Sequence, residues 1–264
     1  TISVSAFLLN RSSDLRCYSS DLFSSSLISS LCQDRDGSVW IATDYGLNRF
    51  DGYHFQTFLH NPADNTSLSV NTVVSTFCDR DGRLWVGTNR GLDRFDAAHE
   101  TFIHYQFPDG LQPRVTSIVQ RNDGSILAGT AGYGAFVVDK DNSMKQYALE
   151  NADHYFSRIY EDSKGRLWKS GFDDVIYMCV GDKVKAFQSE MGNPQGFVEM
   201  GDALIIACLH GFMSFHNNVM SVADIDMSAV AGKDVIFSSV VADKDYVYVG
   251  NRGQGIYRVS KTHP

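Results

Sequence analysis

DRDGSVWIATDYGLNRFD, Asp34–Asp51, returns as DRDGRLWVGTNRGLDRFD at Asp79–Asp96 with the same internal spacing. Aligned on the Gly of the first turn, the copies fall at Gly37, Gly82, Gly124 (in RNDGSILAGTAGYGAFVVD) and Gly165 (in EDSKGRLWKSGFDDVIYM), so the period shortens from 45 to 42 to 41 residues. Two more worn copies, Gly201–Phe215 and Asp243–Val259, bring the count to six.

A period near ~40 residues holding several short strands points to an all-β chain of β-propeller class, because one small sheet cannot bury both faces alone but can between two like sheets. Within a repeat, residues 27–33 and 73–78 read as strand a, and Asp36-Gly37 or Asp81-Gly82 supplies the positive-φ positions of a tight hairpin turn. Strand b follows at Val39–Thr43 or Leu84–Thr88, and a second turn closes on Gly46 or Gly91. Strand c is Leu47–Asp51 or Leu92–Asp96, and strand d is the aromatic and β-branched run His54–Phe58, Thr101–Tyr105 or Met144–Tyr147. No stretch sustains the i, i+3, i+4, i+7 apolar pattern of a helix. The expectation is therefore six recognisable four-stranded repeats, either six blades in this chain or part of a seven-bladed ring.

Composition fits one large all-β domain over 15–264: 264 residues, 43% hydrophobic and 12% aromatic, with no Pro-rich or Gly/Ser-rich linker. The net charge of −8 argues against a nucleic-acid surface, which needs a basic stripe. No run reaches the roughly 18 apolar residues of a membrane span. Residues 1–14 are an N-terminal extension, with TISVSAFLLN at Thr1–Asn10 either a signal-peptide remnant or an extra strand. The last repeat ends soon after strand c, and LRCY at Leu15–Tyr18 stands where a strand d would precede repeat 1, so pairing with Gly255–Val259 would close a ring; an open arc is the alternative. Five cysteines (Cys17, Cys32, Cys78, Cys179, Cys208) lack metal-type spacing; Cys32 and Cys78 occupy equivalent places at the end of strand a, as small core residues do. Buried free thiols are expected, with a structural disulfide as the alternative.

The LW-(I/V)-(A/G)-T-x-x-GL-x-RFD pattern of 34–51 and 79–96, with RCYSSDLFSSSLISSLCQ ahead of it, resembles the two-component regulator propeller repeats in the periplasmic sensor region of Bacteroides-type hybrid two-component systems. The likeness is strong over residues 15–140 and fades after 165, where Asp174 replaces the second-turn Gly. The resemblance implies two seven-bladed propellers, an immunoglobulin-like domain, a membrane helix, a histidine kinase and a DNA-binding regulator in the whole protein, of which this chain holds part of the first propeller. It implies a periplasmic, non-catalytic fragment sensing an oligosaccharide and signalling to the kinase, with a homodimer formed through the full sensor region and membrane contact only through absent segments. A spacer or dimerisation propeller is the second expectation, and a propeller glycan hydrolase or lyase the third.

Specific residues sharpen these expectations. Asp34-x-Asp36-Gly37 lacks the further oxygens and downstream Glu of a calcium loop, so no metal or cofactor is expected. Neither G-x-S-x-G nor H-E-x-x-H occurs. The eight histidines are scattered and read mostly as solvated. Arg49, Arg94 and Arg258 recur in strand c and should bridge to a neighbouring blade or to the acid two residues on, Asp51 or Asp96. Trp40, Trp85 and Trp168 recur in strand b and should pack between blades. The a–b turns are uniform, whereas the b–c turns vary and share an end with the long d-to-a crossovers, and variation on a constant scaffold is where specificity is built. Tyr45, Arg90, Tyr133, Phe172, His210 and Arg252 on those turns combine flat apolar faces with hydrogen-bond donors suited to sugar rings, and are the candidate ligand residues.

Overall fold

The computed structural model describes residues 8–9, 15–16, 22–139, 143–148, 154–181, 183–223, 225, 236–242, 246–251 and 255–260. Six successive antiparallel sheets carry the chain, each a meander in which sequence neighbours pair. Sheet 1 is Ile28–Gln33, Val39–Thr43, Gly46–Phe50 and Phe55–Phe58. Sheet 2 is Val73–Cys78, Leu84–Thr88, Gly91–Asp96 and Thr101–Tyr105. Sheet 3 begins at Val115–Gln120, sheet 4 at Arg158–Glu161, sheet 5 at Pro194–Met200 and sheet 6 at Phe237–Ala242. Among the described residues sheets 1 to 5 have four strands and sheet 6 has three, ending in Gly255–Ser260. The helical content of the described strands and loops is slight, with a 3₁₀ turn at Pro108–Gly110. The fold class is the β-propeller expected from the repeats, with blade-type sheets in repeat order. Leu15–Arg16 pairs antiparallel with Leu8–Leu9 in a separate two-stranded sheet.

The a–b turns show how the repeat specifies its hairpin. In sheet 1, Gly37 donates its N–H to Asp34 O (3.2 Å) and Asp34 donates to Ser38 O (3.0 Å), closing a three-residue loop; sheet 2 repeats the pattern with Gly82 and Asp79. The glycines, not the preceding aspartates, take the positive φ, at 88° and 83°. This corrects the expectation that Asp36 and Asp81 share it: a type I turn followed by one left-handed residue needs a single Gly. The first residue of the motif does the local work, since Asp34 Oδ1 accepts from the N–H groups of Asp36 (3.1 Å) and Ser38 (2.9 Å).

Two compact units divide the chain, Thr1–Gln120 with Ser125–Ala131 and Phe136–Gln146, and Arg121–Gly124 with Gly132–Ala135 and Tyr147–Pro264. In the first, strand a of sheet 1 runs beside strand a of sheet 2, and that of sheet 2 beside that of sheet 3. Its core lies between facing sheets: Trp40 packs with Leu68, Val73, Val86 and Phe95, and Trp85 with Val115, Ile118, Ile126 and Phe136. In the second unit Trp168 meets Phe197, Leu204, Ile206 and Phe215 in the same manner. The three tryptophans therefore fill the space between blades, as their periodicity predicts, each 2% exposed or less.

Candidate functional site

The b–c turns are built from a threonine that ends strand b. Thr43 Oγ1 donates to Gly46 O (2.8 Å) and accepts from Tyr45 N–H (3.2 Å); Thr88 does the same for Gly91 O (3.1 Å) and Arg90 N–H (3.1 Å). The buried threonine holds the turn, so residue 45 or 90 points outward whatever its identity. Tyr45 is 57% exposed and Arg90 is also exposed. Crossovers reach the same end of each sheet: Gly46 N–H donates to Asn71 O (2.7 Å), and Asn89 N–H to Thr72 O (3.0 Å). A second tie comes from strand c, where Asn48 Oδ1 accepts from Ser24 N–H (3.0 Å) and Asp93 Oδ2 from Ser69 N–H (2.9 Å).

In the second unit the corresponding end gathers aromatic groups. Gly132 and Gly134 both donate to His154 O, at 3.2 and 2.9 Å, which brings the turn carrying Tyr133 against the crossover. The ring of Tyr155 lies over Gly132, where an added Cβ would meet its Cζ at 3.4 Å. Tyr155 also stands edge-on to Phe172, with ring centroids 6.0 Å apart. Tyr133, Tyr155 and Phe172 are each about half exposed or more, at 48%, 49% and 64%. His210 is exposed on the next b–c turn, its N–H donating to Met191 O (2.9 Å) and its ring near Gly192. Arg252 lies outside the described residues.

Tyr155 is not among the residues expected from the repeat because it sits in a crossover, outside the repeated motif. A second unexpected feature is the carboxylate behind each tryptophan, half-buried at Asp34 and buried at Asp79 and Asp162: Asp34 Oδ2 accepts from Trp40 Nε1 (2.8 Å), Asp79 from Trp85 (2.8 Å) and Asp162 from Trp168 (2.7 Å). Asp79 and Asp162 also take Arg83 Nε and Arg166 Nε at 2.7 and 2.6 Å. Burial alone would raise the Asp79 carboxyl, but the hydrogen bonds from Trp85 and Arg83 and the Arg83 charge outweigh it and hold it below the usual carboxylate range. These oxygens are engaged by N–H donors, which suits a structural brace.

The recurrent strand-c arginines are only partly as expected. Arg49 does bridge to the neighbouring blade, with Nη2 2.7 Å from Glu100 Oε1, and also donates to Gln56 Oε1. Asp51 is not its partner but caps the c–d turn, accepting from the N–H groups of Tyr53 (2.8 Å) and His54 (2.7 Å). Arg94 lies over Trp85, 5.8 Å from the ring centroid, as Arg49 lies over Trp40 at 5.6 Å. The Arg258 side chain is outside the described residues. At the a–b end of the first unit a cleft of about 580 Å³ is lined by Arg35, Arg49, Arg83, Arg94, Asp36 and Asp96, among others. His104 departs from the solvated reading of the histidines: its Nδ1 is 2.8 Å from the buried Asp93 Oδ1, and that hydrogen bond raises its pKa against the opposing effect of burial.

Comparison with known proteins places this geometry in context. A family model described as "Two component regulator propeller" matches residues 22–45 and 67–90, each spanning the crossover, strands a and b and the b–c turn. Histidine kinase P4 of Formosa agariphila is 43% identical over 49 residues, which is 19% of this chain and 4% of that protein. Among solved structures, the extracellular domain of BT4673 from B. thetaiotaomicron, described as a hybrid or one component system, superposes with a TM-score of 0.72 at 19% identity, covering 89% of this chain and 35% of that one. The extracellular domain of BT3049 from the same organism, described as a hybrid two component system, gives 0.63 at 20% identity, covering 90% and 40%. Virginiamycin B lyase from Staphylococcus aureus gives 0.67 at 14% identity, covering 88% and 84%. These likenesses show the fold, which the two extracellular domains and a lyase share. The chain spans well under half of the two extracellular domains. Among the described residues no helix is long and apolar enough to cross a membrane. The matches by sequence are to a two component regulator propeller model and to a histidine kinase. Residues 22–45 and 67–90 match the two component regulator propeller, and the chain has a propeller fold like that of two-component extracellular domains.

Proposed function

We propose that this chain is a non-catalytic periplasmic sensor propeller of a hybrid two-component system, which binds an oligosaccharide on its b–c face and passes a conformational signal to a histidine kinase. The supporting observation is the exposed edge-on pair Tyr155–Phe172, with Tyr133 on the turn packed beneath Tyr155. Flat aromatic faces stack on the C–H faces of sugar rings, and turn residues held by a buried framework can vary without disturbing it. The whole sensor region forms a homodimer, and the glycan favours one of its arrangements; a ligand with equal affinity for both states would signal nothing.

Glycan-array screening followed by titration calorimetry, on this chain and on the complete sensor region, tests the proposal. A bound oligomer should be recovered uncut. Tyr155→Ala and Phe172→Ala should each weaken binding roughly 5- to 150-fold, the equivalent of about 1–3 kcal/mol. Arg94→Ala, in the cleft at the a–b end, should leave affinity unchanged. Cleavage of the oligomer would favour the hydrolase or lyase reading. Loss of binding in Arg94→Ala alone would move the site to the opposite end.

A further inference from the structure

Strand a of sheet 1 and strand a of sheet 2 run side by side within one unit. Ser30 Oγ and Thr76 Oγ1 meet at 2.9 Å between them, 46 residues apart in sequence. Two residues further on, at the same sequence separation, the sulfurs of Cys32 and Cys78 stand 3.1 Å apart. Both cysteines are half-buried, whereas Cys179 and Cys208 are buried. Burial pushes the Cys179 and Cys208 thiols up to about 11, which leaves them poorly reactive. The sulfurs of a disulfide are about 2.0 Å apart, so Cys32 and Cys78 need close only about 1 Å, on two strands each fixed in its own sheet by backbone pairing and tied to one another by the Ser30–Thr76 contact.

We propose that Cys32 and Cys78 are a reversible oxidation site, at which a disulfide ties the first strands of sheets 1 and 2 together. The periplasmic location proposed above would supply oxidising conditions, but the geometry does not depend on it. The polarity of the pair sets the order of events. Either sulfur can donate the hydrogen bond between them; with the Cys78 thiol as donor, the Cys32 pKa is lowered and that of Cys78 raised, which makes Cys32 the first nucleophile. Its thiolate attacks one sulfur of an external disulfide, such as oxidised glutathione, breaking that S–S bond, forming a mixed disulfide and releasing one glutathione thiolate. Cys78 then gives its proton to solvent, attacks the Cys32 sulfur and expels the second glutathione. Two electrons pass to the external disulfide, and two thiol protons are released as the internal S–S bond forms.

The test uses the wild-type chain, reduced, shown to be folded by circular dichroism, and then equilibrated over a range of oxidised to reduced glutathione. After acid quench, maleimide labelling and digestion, the expected product is lighter by two hydrogens and joins a Cys32 peptide to a Cys78 peptide. Cys179 and Cys208 should label only after unfolding. The oxidised chain should melt at a higher temperature than the reduced one. In denaturing urea the same mixture should spread pairings among the five cysteines. Cys78→Ser should stop at the mixed disulfide on Cys32. Continued maleimide reactivity of Cys32 and Cys78 in the folded chain at the most oxidising ratio would overturn the proposal, as would a folded-state pairing pattern no different from that in urea. The decisive pairing map is made on the wild-type chain, so the proposal stands or falls even where a variant fails to fold.

Discussion

The carboxylate of Asp79 lies 2.8 Å from the indole Nε1 of Trp85, and the aspartate side chain is completely covered. Trp85 lies on the strand that follows the a–b turn, so one side chain closes the turn, through the N–H groups of Asp81 and Arg83, and also fixes the large ring packed between blades. Sheet 1 and sheet 4 repeat the arrangement with Asp34–Trp40 and Asp162–Trp168.

Removing the carboxylate should therefore cost more than removing the indole N–H. Asp79→Ala leaves the Trp85 and Arg83 donors without their buried acceptor and should destabilise by about 3 kcal/mol, against about 1–2 kcal/mol for Trp85→Phe. Trp85→Ala, which empties the space between blades, should cost about 3–5 kcal/mol. Urea midpoints measured on the three variants check the order.

Asp79 also predicts an acid limb. Its folded pKa is lowered, so its stabilisation is present above the ordinary carboxylate pKa, about 3.9, and is lost as pH falls through the depressed folded value. Asp79→Asn should flatten the fall in stability on acidification, measured as urea midpoints from pH 5 downward, while lowering stability at neutral pH.

His104 predicts the opposite slope. The Asp93 hydrogen bond raises its folded pKa, so its stabilisation is full below the ordinary histidine value, about 6.5, and is lost as pH rises through the raised value. Sheet 1 has Thr57 opposite Asn48 where sheet 2 has His104 opposite Asp93. The double substitution Asp93→Asn with His104→Thr copies that uncharged pair and should remove the slope near neutrality. Thermal melts across pH 6 to 9 compare the two chains.

Arg49–Glu100 should matter little despite its 2.7 Å contact, because Glu100 is about half exposed. A double-mutant cycle with Arg49→Ala and Glu100→Ala should return a small coupling, within the range of exposed surface ion pairs and shrinking in high salt. A coupling well above that range would mean that the Trp40 stacking and Gln56 contacts act together with the ion pair.

Strand positions are legible in the sequence because each element writes its own local signal. Val39–Thr43, Leu84–Thr88, Thr101–Tyr105 and Met144–Tyr147 fall where the alternation and turn residues place them. The Asp–Trp hydrogen bond is not, since both residues have adequate separate explanations, one as a turn former and one as core, and only three-dimensional geometry joins them. The Asp93–His104 pair is hidden for a related reason: sheet 1 meets the same structural need with uncharged Asn48 and Thr57, so the motif comparison shows a substitution and not a partnership. Tyr155 has no counterpart in the repeat at all. The candidate turns are readable as places of variation, but which exposed rings meet depends on the path of each crossover.

The brace behind the tryptophans also constrains how one blade can drift from another after duplication. In sheet 3 the position of Asp34 and Asp79 is held by Arg121, and that of Trp40 and Trp85 by Leu127. Losing the acid first strands an indole N–H in the core; losing the indole first leaves a covered negative charge with fewer donors. Either single change is a step downhill in stability, so the two sites are expected to change together, and Leu127 with Arg121 is the paired replacement. Arg121 reaches Asp123 and Glu161, at 3.3 and 3.5 Å, ion pairs that an aspartate at this position would not make. A single hydrogen bond between residues six apart thus couples two positions, and replacing both together is expected to cost less than the sum of replacing each alone.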